Sequence, residues 1–247
     1  MTPFPYQLTG PIAETALGLI VLQADETIEQ DFRRLFNVKQ TLLYVSRVPS
    51  GDALTPDTIG EMEHHLPRAA ALLPASVRFD ALCYACTSGT ALIGVARVAQ
   101  LIAPDQGAER VTNPLSAAIA ALKALGARRV GIVSPYVASV SGPIRVAFQD
   151  AGFDVPATLS FGEEIEARVA RIDPDSISAA ARALARQTKL DAIFLSCTNL
   201  RTLDIIDPLE AELGLAVLSS NQALAWHMAQ IAGAKLSPDA PGQLCRP

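Results

Sequence analysis

The chain writes one short stretch twice. Phe79–Thr90 reads F-D-A-L-C-Y-A-C-T-S-G-T and Leu190–Arg201 reads L-D-A-I-F-L-S-C-T-N-L-R. In both copies an Asp opens an apolar run, and Cys-Thr follows at the same distance, Asp80 to Cys86 and Asp191 to Cys197. A short apolar run closed by small polar residues is how a buried parallel strand ends in a loop that starts a helix. Open α/β sheets bind ligands at the carboxyl ends of their strands. Two related strands therefore carry two equivalent thiols, Cys86 and Cys197, to the place where chemistry is usually done.

The echo extends beyond these strands. A-L-G-L-I-V-L at Ala16–Leu22 resembles R-R-V-G-I-V-S-P at Arg128–Pro135. Asn113 and Asn221 each open an apolar helical stretch, and these end at Gly126 and Gly233, the stop residue helices favour. Paired landmarks in the same order indicate a duplicated α/β unit. The expected fold is α/β with two pseudo-symmetric halves, each a short parallel sheet flanked by helices, and the site in the cleft between them. Residues 1–113 with 220–247 are expected to form the first domain and 114–219 the second. No Gly- or Ser-rich linker separates them, so the copies should pack directly together.

Read in order, a Pro-rich lead-in over residues 1–15 precedes a strand at Leu17–Leu22, whose exit loop carries Asp25. An amphipathic helix is expected over Thr27–Phe36, a strand over Thr41–Val48, and a helix from Thr55-Pro56-Asp57 towards Leu73. After the Cys86 strand come a single helix over Gly89–Ile102 and a short strand at Val111–Thr112. The second copy offers a strand at Val130–Ser134, helices over Gly142–Ala151 and from Asp173 to Arg186, the Cys197 strand and a strand at Leu215–Leu218. Ser237–Pro247 reads as a loose tail in which Cys245 is incidental.

Composition narrows the function classes. With 247 residues, half of them hydrophobic, the chain has ample core. Its net charge of -5 and pI near 5.2 argue against a nucleic-acid surface. The N-terminal stretch lacks the charged start and apolar centre of a signal peptide, and no apolar run is long enough for a membrane span. A cytoplasmic protein with reduced cysteines is expected, binding neither nucleic acid nor membrane. No metal site is expected, because His64, His65 and His227 lack partners at ligand spacing and Glu61 with His65 reads as a solvated helix face. Cys83 and Cys86 form a C-x-x-C, but Cys83 falls inside the strand and not at a helix start. No glycine-rich nucleotide loop occurs, so no cofactor is expected.

A thiol at a helix N-terminus is expected to ionise more easily, and the same N–H groups with the hydroxyls of Thr87, Ser88 and Thr198 can cradle a carboxylate. Two thiols across a cleft have a specific use. One, as thiolate, takes a proton from a carbon next to a carboxylate while the other delivers one from the opposite face. Alternatively, a thiolate adds to an activated double bond, which rotates before the sulfur leaves. Both routes build negative charge on a carboxylate and need a cradle of donors.

These residues resemble the aspartate/glutamate racemase superfamily over nearly the whole chain. C-T-S-G-T, V-S-P-Y and S-C-T-N-L-R look most like its maleate cis-trans isomerase and arylmalonate decarboxylase branch. The Leu17–Phe32 segment and S-F-G-E-E-I-E-A-R-V-A-R-I-D-P look closest to the ectoine-utilisation protein A subgroup. The resemblance implies that Cys86 and Cys197 are the catalytic pair, with Thr87, Ser88, Tyr136 and Thr198 around the substrate carboxylate. It implies no cofactor. Decarboxylases of this kind keep only the second cysteine, so two cysteines favour isomerisation or racemisation. Where maleate isomerases carry an Asn in the first loop and another after the Tyr strand and its helix, this chain offers Asp25 and then Glu163, Glu164 and Glu166. Carboxylates there repel a dianion and suit an ammonium group. The expected function is a cofactor-independent isomerase or racemase of a small carboxylate, an amino acid or derivative, in a setting such as ectoine degradation. Assembly as a homo-oligomer is compatible with it. Maleate isomerisation and non-catalytic binding of a small carboxylate are the alternatives.

Overall fold

The computed structural model describes residues 3–246 apart from 11, 54 and 104–109. Met1, Thr2 and Pro11 of the expected lead-in and Pro247 of the expected tail lie outside the described residues. Strands β1 (Thr15–Leu22), β2 (Thr41–Val48), β3 (Ala81–Ala85) and β4 (Val111–Thr112) form one sheet in the order β2-β1-β3-β4. Strands β5 (Val130–Tyr136), β6 (Thr158–Glu163), β7 (Ala192–Leu195) and β8 (Ala216–Ser219) form a second in the order β6-β5-β7-β8. The two orders are the same permutation, and every pairing within the sheets is parallel. This is the two-sheet α/β architecture that the repeat predicts.

The aspartates that open the repeated stretches have a shared structural task. Asp80 Oδ2 accepts a hydrogen bond from the Ala16 N–H at 2.9 Å, at the start of β1. Asp191 Oδ2 accepts from the N–H groups of Arg128 and Arg129 at 2.9 and 2.8 Å, just before β5. Each carboxylate satisfies backbone donors at the amino end of the neighbouring strand, where the ladder supplies no partner. Those two N–H groups also hold the Asp191 carboxyl below its ordinary range.

Ten helices lie among the described residues: α1 (Ile28–Leu35), α2 (Pro56–Ala71), α3 (Thr87–Ile93), α4 (Val95–Ile102), α5 (Pro114–Ala124), α6 (Ala138–Asp150), α7 (Glu166–Val169), α8 (Pro174–Gln187), α9 (Leu203–Leu213) and α10 (Ser220–Ala232). Several start where side chains dictate. Thr55 and Thr58 make a reciprocal cap for α2, Asn113 caps α5 through the Ser116 N–H, and Asp173 caps α8 through the Ser176 N–H. After β8 the chain returns to the first sheet, where α10 packs on β3, α1 and α5. Helix α3 reaches α6 of the other half.

Four sequence expectations need correction. The helix expected over Gly89–Ile102 starts at Thr87 and is broken at Gly94, whose φ of +94° suits a residue without a side chain. Asn221 does not open α10; Ser219 caps it together with Gln222. Residues 198–200 after Cys197 form a turn, and α9 begins only at Leu203. The described part of the tail is docked, not loose. The Ser237 N–H donates to Leu35 O at 2.7 Å, Gly242 and Gln243 N–H donate to Asp207 and Glu210, and Gln222 holds Pro241 O at 2.7 Å. Partners on distant helices hold this segment, and no local sequence pattern announces them.

Asp191→Ala should lower stability by about 1 kcal/mol, since two charge-assisted hydrogen bonds vanish at an exposed strand start. Urea unfolding followed by circular dichroism measures this. An unchanged midpoint would reduce Asp191 to a solvated surface charge.

Candidate active site

Both cysteines end up at the carboxyl ends of paired central strands, in different local settings. Cys86 is the N-cap of α3, and its Sγ accepts from the Gly89 N–H at 3.2 Å and lies 3.6 Å from Ser88 Oγ. Gly89 has to be glycine here, because a Cβ would sit 2.3 Å from Tyr84 Oη and 3.0 Å from Cys86 Sγ. Cys197 sits in a turn, and its Sγ accepts from the Asn199 N–H at 3.3 Å. Its φ of +155° is the one positive value at a non-glycine residue among the described residues. Backbone strain of this kind, on the order of 1–3 kcal/mol, concentrates at functional sites.

The two cysteine loops are tied together by side chains. Ser220 Oγ accepts from the Cys197 N–H at 3.0 Å and shares a hydrogen bond with Thr87 Oγ1 at 3.0 Å. The Thr198 hydroxyl donates across to Ala85 O at 3.3 Å. Asn221 Nδ2 donates to both Thr198 O and Asp31 Oδ2 at 2.8 Å. Thr87, Ser88, Tyr136, Thr198, Asp25 and both cysteines are all buried and come together at this junction. The hydroxyls of Thr87 and Thr198 hold the framework, while Ser88 faces the cavity described below.

Asn199 is the hub. Its Oδ1 accepts from the Glu26 N–H at 2.9 Å, its carbonyl accepts from the Thr27 hydroxyl at 3.0 Å, and its Nδ2 donates to Glu166 Oε1 at 2.9 Å. It thereby fixes the exit loop of β1. Asp25 in that loop uses Oδ1 to accept from the N–H groups of Thr27 and Ile28 at 2.8 and 2.9 Å, closing the start of α1. Its Oδ2 is buried without a hydrogen-bond partner; the neighbouring Thr198 hydroxyl is turned to Ala85 O. Arg47 holds the same loop by donating to the carbonyls of Leu22, Gln23 and Asp25.

Cys86, Ser88 and Glu166 line a small cavity with Ser50, Ile59 and Met62, and the space left in it is about 10 Å³. That is room for about one water-sized group. Two contacts between the halves close it: the Glu166 N–H donates to Asp52 O at 3.1 Å, and Ala53 bridges Ile165.

Electrostatics overturns one expectation. Burial pushes the Cys86 thiol up to about 11 and raises Cys197 as well, with the Glu166 charge adding to both. The helix N-terminus and the Ser88 hydroxyl pull Cys86 the other way but lose to desolvation. In this closed arrangement both thiols carry their protons. The Tyr84 hydroxyl lies beside Cys86 and the Tyr136 hydroxyl beside Cys197. Burial also raises Asp25 and carries Asp31 and Glu166 up to about 7.

Sequence reading did not find Asn199, Ser220, Tyr84 or the Asp31–Asn221 pair as parts of the site. Asn199 had a signal, since it occupies in S-C-T-N the place that Ser88 takes in A-C-T-S. Ser220 and Tyr84 had none, because a Ser before a helix reads as a cap and a Tyr in an apolar strand reads as core.

Asp31 and Glu166 bind more protons folded than unfolded between the ordinary carboxylate range and about 7. Stability should therefore fall as pH rises through that window and stay reduced above it. Asp31→Asn and Glu166→Gln should each flatten the decline of Tm between pH 5 and pH 8. Parallel curves for wild type and both variants would contradict the raised values.

Comparison with known proteins gives this geometry a context. The chain is 25% identical to maleate isomerase of Geobacillus stearothermophilus over 218 residues, 83% of this chain and 86% of that one. It is 32% identical to arylmalonate decarboxylase of Bordetella bronchiseptica over 123 residues, 49% of this chain and 51% of that one. Its fold matches a cysteine mutant of Nocardia farcinica maleate cis-trans isomerase carrying a covalently bound succinylcysteine intermediate. The TM-score is 0.83 at 22% identity, covering 94% of this chain and 98% of that one. The sequence profile of the arylmalonate decarboxylase (Amdase) family matches residues 107–245, more than half the chain. With two like-ordered parallel sheets and a buried cysteine at the end of a central strand in each, this chain belongs to the arylmalonate decarboxylase family.

Proposed function

We propose that the protein is a cofactor-independent isomerase of a small carboxylate, a racemase or epimerase acting on an amino acid or derivative. The observation that carries this reading is the pair of buried thiols, one from each half, gathered around Glu166 and Tyr136.

One sulfur, as thiolate, takes the proton from the carbon next to the substrate carboxylate. The electron pair of the broken C–H bond delocalises into that carboxylate, and the other thiol delivers its proton to the opposite face. The roles of the two sulfurs are then exchanged. Negative charge on the carboxylate is met by the hydroxyls of Ser88 and Tyr136 and by N–H groups at the start of α3. Because both thiols are neutral when the site is closed, the cycle needs a compensating positive charge to keep one of them ionised. A substrate ammonium near Asp25 supplies it, and the unpartnered Asp25 Oδ2 supports that placement.

Maleate isomerisation is the second reading, favoured by the maleate isomerases among the relatives. There a thiolate would add to the double bond, giving a sulfur–carbon adduct that rotates and collapses. Two buried carboxylates, Asp25 and Glu166, weigh against a dianionic substrate, which they would repel. Non-catalytic binding remains the alternative outside enzymes.

Cys86→Ala and Cys197→Ala should each abolish interconversion of enantiomers across a panel of amino acids, read by chiral chromatography. Each variant should still exchange deuterium into one enantiomer, through the thiol that remains. Full racemisation by either variant would contradict the two-thiol mechanism. A mass increase on Cys86 during maleate turnover would favour the second reading.

A further inference from the structure

The E-E-I-E run offers three carboxylates to the site, and the fold separates them. Glu163 pairs with Arg168 at 3.2 Å and accepts from the N–H groups of Glu164 and Ile165 at 3.0 Å. Glu164 is exposed. Glu166 turns inward and is 2% exposed, lining the cavity with Cys86 and Ser88. Asn199 holds its Oε1, and no cationic side chain pairs with it among the described residues. Arg47, in β2, is engaged with Glu29 and with carbonyls of the β1 exit loop, and Arg171, just after α7, is engaged with Glu26.

Asp25 presents the same arrangement from the other side of Asn199. One oxygen is held by two backbone N–H groups, and the other is buried without a partner. Asn199 spans the two, donating to Glu166 Oε1 and receiving the N–H of Glu26, the residue after Asp25. Two buried carboxylates, each anchored by neutral donors, lack the cationic partner that would stabilise their charged forms.

We infer that Glu166, acting with Asp25, is the specificity-determining residue that receives the α-ammonium group of the substrate, so that the site selects amino acids over the same carboxylic acids without nitrogen. This rests on the isomerase reading above and names the group that decides its substrate class. Burial without a cationic partner raises both carboxyls, Glu166 and Asp25.

The test is calorimetry with matched ligands differing only in the amino group: aspartate and succinate, glutamate and glutarate, alanine and propionate. Wild type should bind the aminated member of at least one pair more tightly. Glu166→Gln keeps the oxygen that accepts from Asn199 and removes the charge. It should weaken the aminated ligand roughly 10–150-fold and leave its partner unchanged or tighter. Glu166→Asp, which keeps the charge, should retain the preference. Should Glu166→Gln fail to fold by circular dichroism, Asp25→Asn reads the same preference. No amine preference in wild type, or equal effects on both members of a pair, would overturn the inference. So would heat on titrating magnesium or potassium chloride that is lost in Glu166→Gln, since the carboxylates would then serve an inorganic cation. Deuterium exchange into each ligand, scored in parallel, separates the two readings. Exchange without amine preference sinks the inference alone, and amine preference without exchange sinks the isomerase reading alone.

Discussion

Burial of ionisable groups at the junction of the two halves governs this structure. Cys86, Cys197, Asp25 and Glu166 are removed from water together, and desolvation is the largest influence on each. Left alone, such groups would cost stability, so each is given donors: Gly89 and Ser88 to Cys86, Asn199 to Cys197 and Glu166, Thr27 and Ile28 to Asp25. These donors set direction more than charge. They hold oxygens and sulfurs in place while the low dielectric keeps the thiols protonated. In the proposed reading, a substrate ammonium supplies the missing positive charge and shifts that balance.

The duplicated fold makes that junction. Each sheet delivers one cysteine at the carboxyl end of a strand beside its most central partner, β3 next to β1 and β7 next to β5. Ser220, Thr198 and Asn199 lock the loops with hydrogen bonds that cross between segments far apart in sequence. The halves are not equivalent in detail. Cys86 is backed by a helix start, whereas Cys197 sits in a strained turn. Two chemically identical residues thus occupy different surroundings.

The sequence carries the fold clearly because the architecture repeats. Two apolar runs opened by Asp and closed by Cys-Thr announce parallel strands, and the matching strand orders follow from the duplication. Both cysteines and Asp25 stand at strand exits in sequence and structure alike. Less legible is whatever depends on partners distant along the chain. Gly94 breaks a helix that periodicity alone continues, and the docking of Ser237 to Leu35 has no local signature. Thiol ionisation is illegible for the same reason: a helix start is visible in sequence, and the depth of burial that outweighs it is not. Glu166 was one of three indistinguishable glutamates until the turn into α7 placed it inside.

In the proposed mechanism, two thiols act on opposite faces of one carbon. This is tested most directly by running the wild-type enzyme in deuterated water from each enantiomer of a turned-over substrate and analysing both enantiomers at low conversion by mass spectrometry. The account predicts one deuterium in the product formed from either direction, with the remaining substrate unlabelled, because each sulfur carries its own solvent-exchanged proton. Equal labelling of substrate and product, or product without deuterium, would mean that a single group takes and returns the proton, and would contradict the account.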